Sequence, residues 1–240
     1  MLENQEHSGN SFVQKAARGT GAPHRAEGIY NKICADLQKG IYAPGDKLVL
    51  RELAAEFGVS LTPVRDALNR LVGERVLEMR PNRTIAVPIP LAAEVREVRR
   101  IRMEIEGFAA AEAASRISVD ELEQVELACD RYVAARKSGD AVVTLEANRV
   151  FHFSVYAAAR MPFLLEIING FWLRNGPLQH LLLQSGTPRF DRSDTLHRAV
   201  LDALRDRDEV AARKGVSDDI DYPTNDIIMA LAELRESQGR

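Results

Sequence analysis

The 240-residue chain has only two cysteines, Cys34 and Cys129, far apart and outside any Cys-x-x-Cys pair. That scarcity excludes a disulfide framework and a thiolate zinc site, so both thiols are read as reduced and buried. No apolar run approaches the ~20 residues of a membrane span. Met1 to Ala22 is polar, without a hydrophobic signal core, so a cytoplasmic protein with no membrane partner is expected. His-Glu-x-x-His, Gly-x-Gly-x-x-Gly, the P-loop pattern and Gly-x-Ser-x-Gly are all missing. Their absence argues against an enzyme, and no catalytic residue is assigned. A strong charge of one sign is lacking too: the net charge is −3. That figure hides an asymmetry. Arg25 to Pro90 carries ten basic and eight acidic residues, whereas the chain beyond Pro90 carries twenty basic and twenty-five acidic. A mildly basic first part permits nucleic-acid binding without requiring it.

What is present is helical periodicity. Residues 1–24 are rich in Ser, Gly, Asn, Gln and Ala and read as a flexible arm. Ile29, Ile33 and Leu37 then mark one helical face. Pro44-Gly45-Asp46 is turn chemistry. A short helix over Val49–Phe57 has Leu50, Leu53, Ala54 and Phe57 as its apolar face, with Gly58 as its left-handed terminator. Ser60 or Thr62 opens a third helix, with Pro63 tolerated in its first turn. Its buried face is Val64, Ala67, Leu68, Leu71 and Val72. Two short extended segments around Pro81-Asn82-Arg83 read as a two-stranded wing, and Pro88 and Pro90 mark a boundary. The fold class predicted is mainly α. A winged helix-turn-helix over 25–89 precedes an all-helical antiparallel bundle over 94–234. The bundle helices are predicted over Glu94–Ser115, Val119–Lys137, Leu145–Ala159, Pro162–Gln184 (one or two), Arg189–Leu204 and Glu209 to about Leu234. In the first of them Val98, Ile101, Ile105, Phe108 and Ala109 form the expected inward stripe.

A winged helix-turn-helix needs a bracing helix and a recognition helix whose first residues enter the major groove. Those first residues are Ser60, Leu61, Thr62 and Arg65. Arg65 can reach a guanine edge or a phosphate. Ser60 and Thr62 can donate to phosphate at the positive helix end. Arg51 opens the bracing helix, and Asn82 and Arg83 sit at the wing tip. Taken singly, such arginines are as readily solvated surface residues. The runs Pro44-Gly45-Asp46-Lys47-Leu48, Arg51-Glu52-Leu53-Ala54 and Phe57 through Leu68 resemble the GntR family of bacterial repressors, over about Ala26 to Val87. The resemblance implies that Arg51, Ser60, Leu61, Thr62, Arg65 and the wing tip contact double-stranded operator DNA. The chain departs from the pattern at Leu61, where many members have Arg, and at Thr84, where Gly is common.

The second part is similar to the FadR-type effector domain, through Ile101–Glu106, Asn148–His152 and His197–Leu204. In that subfamily many members hold a divalent metal inside the bundle. Carried over, the resemblance places the ligands at Asn148, His152, His197 and Asp219. Asn148 stands where a carboxylate is usual and Asp219 where a histidine is usual. Two imidazoles, a carboxylate and an amide oxygen suit zinc, nickel or manganese, and the neutral Asn148 weakens the site. His152 and His197 are alternatively direct ligands of an effector carboxylate, or hydrogen-bonding residues inside the bundle. Arg102 lies where the family points a cation into the pocket, with a surface ion pair to Glu106 as the rival role. Trp172 is read as packing, and His180 is left open.

The resulting expectation is a homodimeric, ligand-responsive repressor sensing a small organic acid. Two rivals are a DNA-binding dimer whose bundle takes no effector and a metal-dependent enzyme.

Overall fold

The computed structural model describes residues 21–184 and 192–238. Helix α1 (Gly21–Gln38) begins four residues inside the stretch read as an arm, the rest of which lies outside the described residues. Ile29, Ile33 and Leu37 are buried, as their spacing predicts. They pack with Leu53 and Ala54 of α2 (Leu50–Glu56) and with Val64, Leu68 and Leu71 of α3 (Leu61–Gly73). Gly58 adopts φ +63° between the two helices, a conformation that favours glycine.

The wing is β1 (Glu78–Met79) and β2 (Ile85–Ala86), antiparallel, pairing Glu78 with Ala86 and Met79 with Ile85. The Pro44 turn extends this small sheet. Gly45 donates to the Val87 carbonyl, Leu48 donates to that of Ile85, and Lys47 bridges to Ala86. The left-handed residue of the wing turn is Arg83, at φ +61°. Asn82 Oδ1 accepts from the Thr84 amide at 3.1 Å and fixes the tip without the glycine usual at position 84.

The bundle consists of α4 (Ala92–Arg116), α5 (Val119–Ser138), α6 (Ala141–Ala158), α7 (Pro162–Gln184), α8 (Ser193–Arg205), α9 (Glu209–Asp221) and α10 (Thr224–Gln238). α4 is central and packs on α6, α7, α8, α9 and α10. Several expectations are sharpened or changed. The single last helix is two, because Pro223 has no N–H to continue the ladder and its ring crowds the preceding turn. The stretch from Pro162 is one helix, with Pro177 inside it. The inward stripe of α4 is rotated: Ala109 is buried as expected, but Ile101 and Phe108 are 40 and 37 % exposed, while Arg102, Glu106, Ala110 and Ala113 are buried. The small residues admit α9 closely, and the ion pair sits where an apolar seam was expected. The helix expected from Arg189 starts at Ser193, and Arg189 itself lies outside the described residues.

α7 joins the two halves. Leu173 is buried in the core of α1–α3, and Gln38 Nε2 donates to Asn169 Oδ1 at 2.7 Å. A Cβ on Gly176 would stand 2.1 Å from the Leu37 carbonyl oxygen, so only glycine lets α1 end directly against the α7 backbone.

Candidate functional site

α3 is amphipathic because its buried residues recur at helical spacing, leaving Ser60, Leu61, Thr62 and Arg65 exposed at one end. Ser60 is the N-cap, yet its hydroxyl accepts no capping hydrogen bond, and the first turn carries no acid. That end therefore presents unfilled backbone N–H groups, hydroxyls and positive dipole. Arg51, at the start of α2, and Asn82 and Arg83, at the wing tip, are exposed as well. Among the described residues no ion pair holds Arg51, Arg65 or Arg83. Other surface arginines do have partners, such as Arg70 with Glu27 and Glu74.

Deep in the bundle, His152 of α6, His197 of α8 and Asp219 of α9 each offer a ligand atom, all within 4.8 Å of one another. His152 Nε2 lies 3.1 Å from Asp219 Oδ2, and His197 Nε2 lies 3.6 Å from Oδ1. These separations bracket the ~3.3 Å edge of a tetrahedron with ~2.0–2.1 Å metal–ligand bonds. The His152 ring is oriented through Nδ1, 3.1 Å from the Tyr156 hydroxyl. His197 is fully buried with neither ring nitrogen hydrogen-bonded, an expensive arrangement unless a cation takes one of them. Burial lowers its pKa against the pull of Asp219, disfavouring the charged ring; the neutral form is the one that coordinates metal. Burial also opposes ionisation of Asp219, but the two imidazoles outweigh it and hold the carboxyl below its usual range. The donor set therefore fits a divalent cation. Asn148 stands one helical turn before His152, and its amide donates to Gln179 at 3.4 Å. Both Asn148 and Asp219 line a void of about 40 Å³.

Arg102 forms the Glu106 pair, but in the interior rather than on the surface. Its Nε and one Nη donate to the two carboxylate oxygens at 2.5 and 3.2 Å. Glu106 also accepts from Tyr156 at 2.7 Å and from Trp172 Nε1 at 3.0 Å. Trp172 thus packs and also binds. Arg102, Trp172, His152 and Asp219 border a cavity of about 560 Å³. His180 lies at the α1–α7 contact, close to Gly40, and does not line that cavity. Sequence reasoning had Glu106 in hand through its i, i+4 spacing but not as the hub of four donors. Gln179 and Leu173 carried no local signal.

The family models match in two blocks: "Bacterial regulatory proteins, gntR family" over residues 25–87 and "FCD domain" over 97–221. The HTH-type transcriptional regulator McbR of Escherichia coli (strain K12) is 31% identical over 186 residues, 77% of this chain and 84% of that one. The chain belongs to the GntR family, with an FCD domain. The solved structure of E. coli McbR/YncC superposes with a TM-score of 0.78 at 27% identity, covering 88% of this chain and 98% of that one. A probable D-xylose utilization operon transcriptional repressor of Paenarthrobacter nicotinovorans is 27% identical, over 80% of this chain and 84% of that one. As a GntR-family member the protein is a DNA-binding transcriptional regulator with a ligand-binding effector domain, not an enzyme. No helix among the described residues is long and apolar enough to cross a membrane.

Proposed function

We propose that the protein is a cytoplasmic repressor that grips operator DNA as a homodimer and loosens when its bundle takes up a small organic acid beside a divalent cation. Residues 25–89 form the DNA-binding unit, and 94–234 the sensing and dimerising unit. Arg65 reads a base edge, and Leu61 meets a thymine methyl. Ser60, Thr62 and Arg51 hold phosphates, and Asn82 and Arg83 follow the neighbouring groove, with Arg83 on its phosphates. His152, His197 and Asp219, with Asn148 as a fourth donor, hold zinc, nickel or manganese. A cation held there would supply positive charge to a carboxylate ligand in the adjoining cavity. Arg102 fixes Glu106, and through it Tyr156 and Trp172, around the cavity that receives the acid. The observation that carries this reading is the convergence of His152, His197 and Asp219, two of which, His152 and Asp219, border a cavity that reaches the winged helix.

A gel shift on the promoter beside the protein's own gene tests the DNA half. Arg65→Ala should cost about 1–3 kcal/mol of operator affinity, and unchanged affinity sinks the docking assignment. Metal analysis of the purified protein tests the other half. About one equivalent of metal per chain, lost in His197→Ala, is the expected result.

A further inference from the structure

The 560 Å³ cavity is not confined to the bundle. At its inner end it touches His152 and Asp219, and at its outer end it touches Arg75 and Val76 just beyond α3 and Val87 just beyond the wing. Between them the wall is largely apolar, from Ile89, Val98, Leu178 and Ile227. The outer end collects donors. Asn175 is only 7% exposed, lines the cavity, and its Nδ2 has no hydrogen-bond partner. Buried amide N–H groups are rarely left so, because the desolvation is uncompensated. Arg75 lines the cavity too, as does Arg174, whose two Nη atoms also donate to the Gly170 and Glu74 carbonyls. Burial lowers the Arg174 pKa; Glu74 opposes that and the like charge of Arg75 adds to it, so the two guanidiniums feel one another. Among the described residues no ion pair holds Arg75. Of the carboxylates bordering the void, Glu78 pairs with Arg80, Glu94 caps α4, Glu97 is exposed, and Asp219 lies at the inner end beside His152.

We infer that this void is one ligand site shared by both domains, whose outer end, built from Asn175, Arg174 and Arg75, holds the anionic oxygens of a ligand with an apolar body. The inference deepens the effector reading above and rests on it for the ligand's regulatory role, but the outer end needs no metal. Such a ligand touches the chain directly after the recognition helix and directly after the wing, so its fit depends on how the two domains are set.

The chain's single tryptophan, Trp172, borders the void and reports occupancy. The experiment titrates the full chain, chelator-treated and zinc-loaded, with 8-anilinonaphthalene-1-sulfonate, reading energy transfer from Trp172. The neutral N-phenyl-1-naphthylamine serves as the uncharged counterpart. One saturable sulfonate site is expected with or without zinc. Asn175→Leu and Arg75→Ala should each weaken the sulfonate dye about tenfold and leave the neutral dye unchanged. Because Arg75 is exposed, its variant keeps the test alive if Asn175→Leu misfolds. The assignment is overturned if both folded variants bind the sulfonate as the parent does, or if they weaken both dyes alike. Zinc uptake, measured on the same samples, can fail without moving the dye result, so the two readings fall separately.

Discussion

Glu106 shows how much one buried residue can organise. It accepts from Arg102, Tyr156 and Trp172 in the interior, and without it the Arg102 guanidinium and the Trp172 indole N–H lose the acceptor they share. Replacing it with alanine leaves the Arg102 guanidinium buried without a counter-charge. Glu106→Ala should therefore destabilise the fold by about 3–5 kcal/mol, measured by urea denaturation. A loss below about 1 kcal/mol would mean that water or Asp219 takes over the guanidinium. The proposed metal site allows a pair of opposed tests at the same scale. His197→Ala removes a donor and should weaken zinc by more than the roughly 10–100-fold that loss of an outer partner costs. Asn148→Asp restores a negative oxygen one turn from His152 and should tighten zinc on the order of tenfold. Isothermal titration against a competing chelator separates them, and the same sign for both variants would contradict Asn148 as a donor.

At the level of elements, α7 carries the communication. Its consecutive residues Trp172, Leu173 and Arg174 point respectively into the Glu106 cluster, into the winged-helix core and at the end of the recognition helix. Arg174 donates to the Glu74 carbonyl, one of the orphan acceptors at the C-terminus of α3, at 2.5 Å, and to Gly170 at 2.7 Å. A charge-assisted bond of this kind is worth about 1.5–3 kcal/mol. Arg174→Ala should accordingly raise amide hydrogen exchange in the last turn of α3 by about ten- to a hundredfold, with α5 unaffected. Equal exchange in both helices would remove α7 from the coupling. Little of this element's role was legible in advance. The winged helix is readable because Gly58, Ser60 and the Val64-Ala67-Leu68-Leu71 spacing are local signals, and local signals fix local structure. The His152–His197 constellation followed from a family pattern. The α4 stripe was misjudged because a buried ion pair reads as surface in a hydrophobicity pattern, and the helix face was chosen by tertiary packing of alanines on α9. The Leu173 and Gly176 contacts with α1 link positions more than a hundred residues apart, which no periodicity reveals.

Across the whole molecule, charge distribution and symmetry set how DNA is held. The net charge of −3 gives no long-range attraction, so the proposed docking assigns affinity to a few placed cations, Arg51, Arg65 and Arg83. Each cation that neutralises a phosphate releases counterions and contributes about 0.9 to the slope of log affinity against log salt. In a monomer, Arg83→Ala would reduce that slope by about 0.9; in a two-fold dimer the same substitution acts twice and reduces it by about 1.8. Fluorescence anisotropy on a two-half-site operator, from roughly 50 to 200 mM salt, distinguishes these values. The doubled change is expected, and it should revert to the single one on DNA carrying one half-site. A change near zero on both DNAs would take the wing tip off the phosphates. A single-sized change on the full operator would instead put one chain on the DNA at a time, and the spacing-controlled response argued for the bundle would have no second recognition helix to act on.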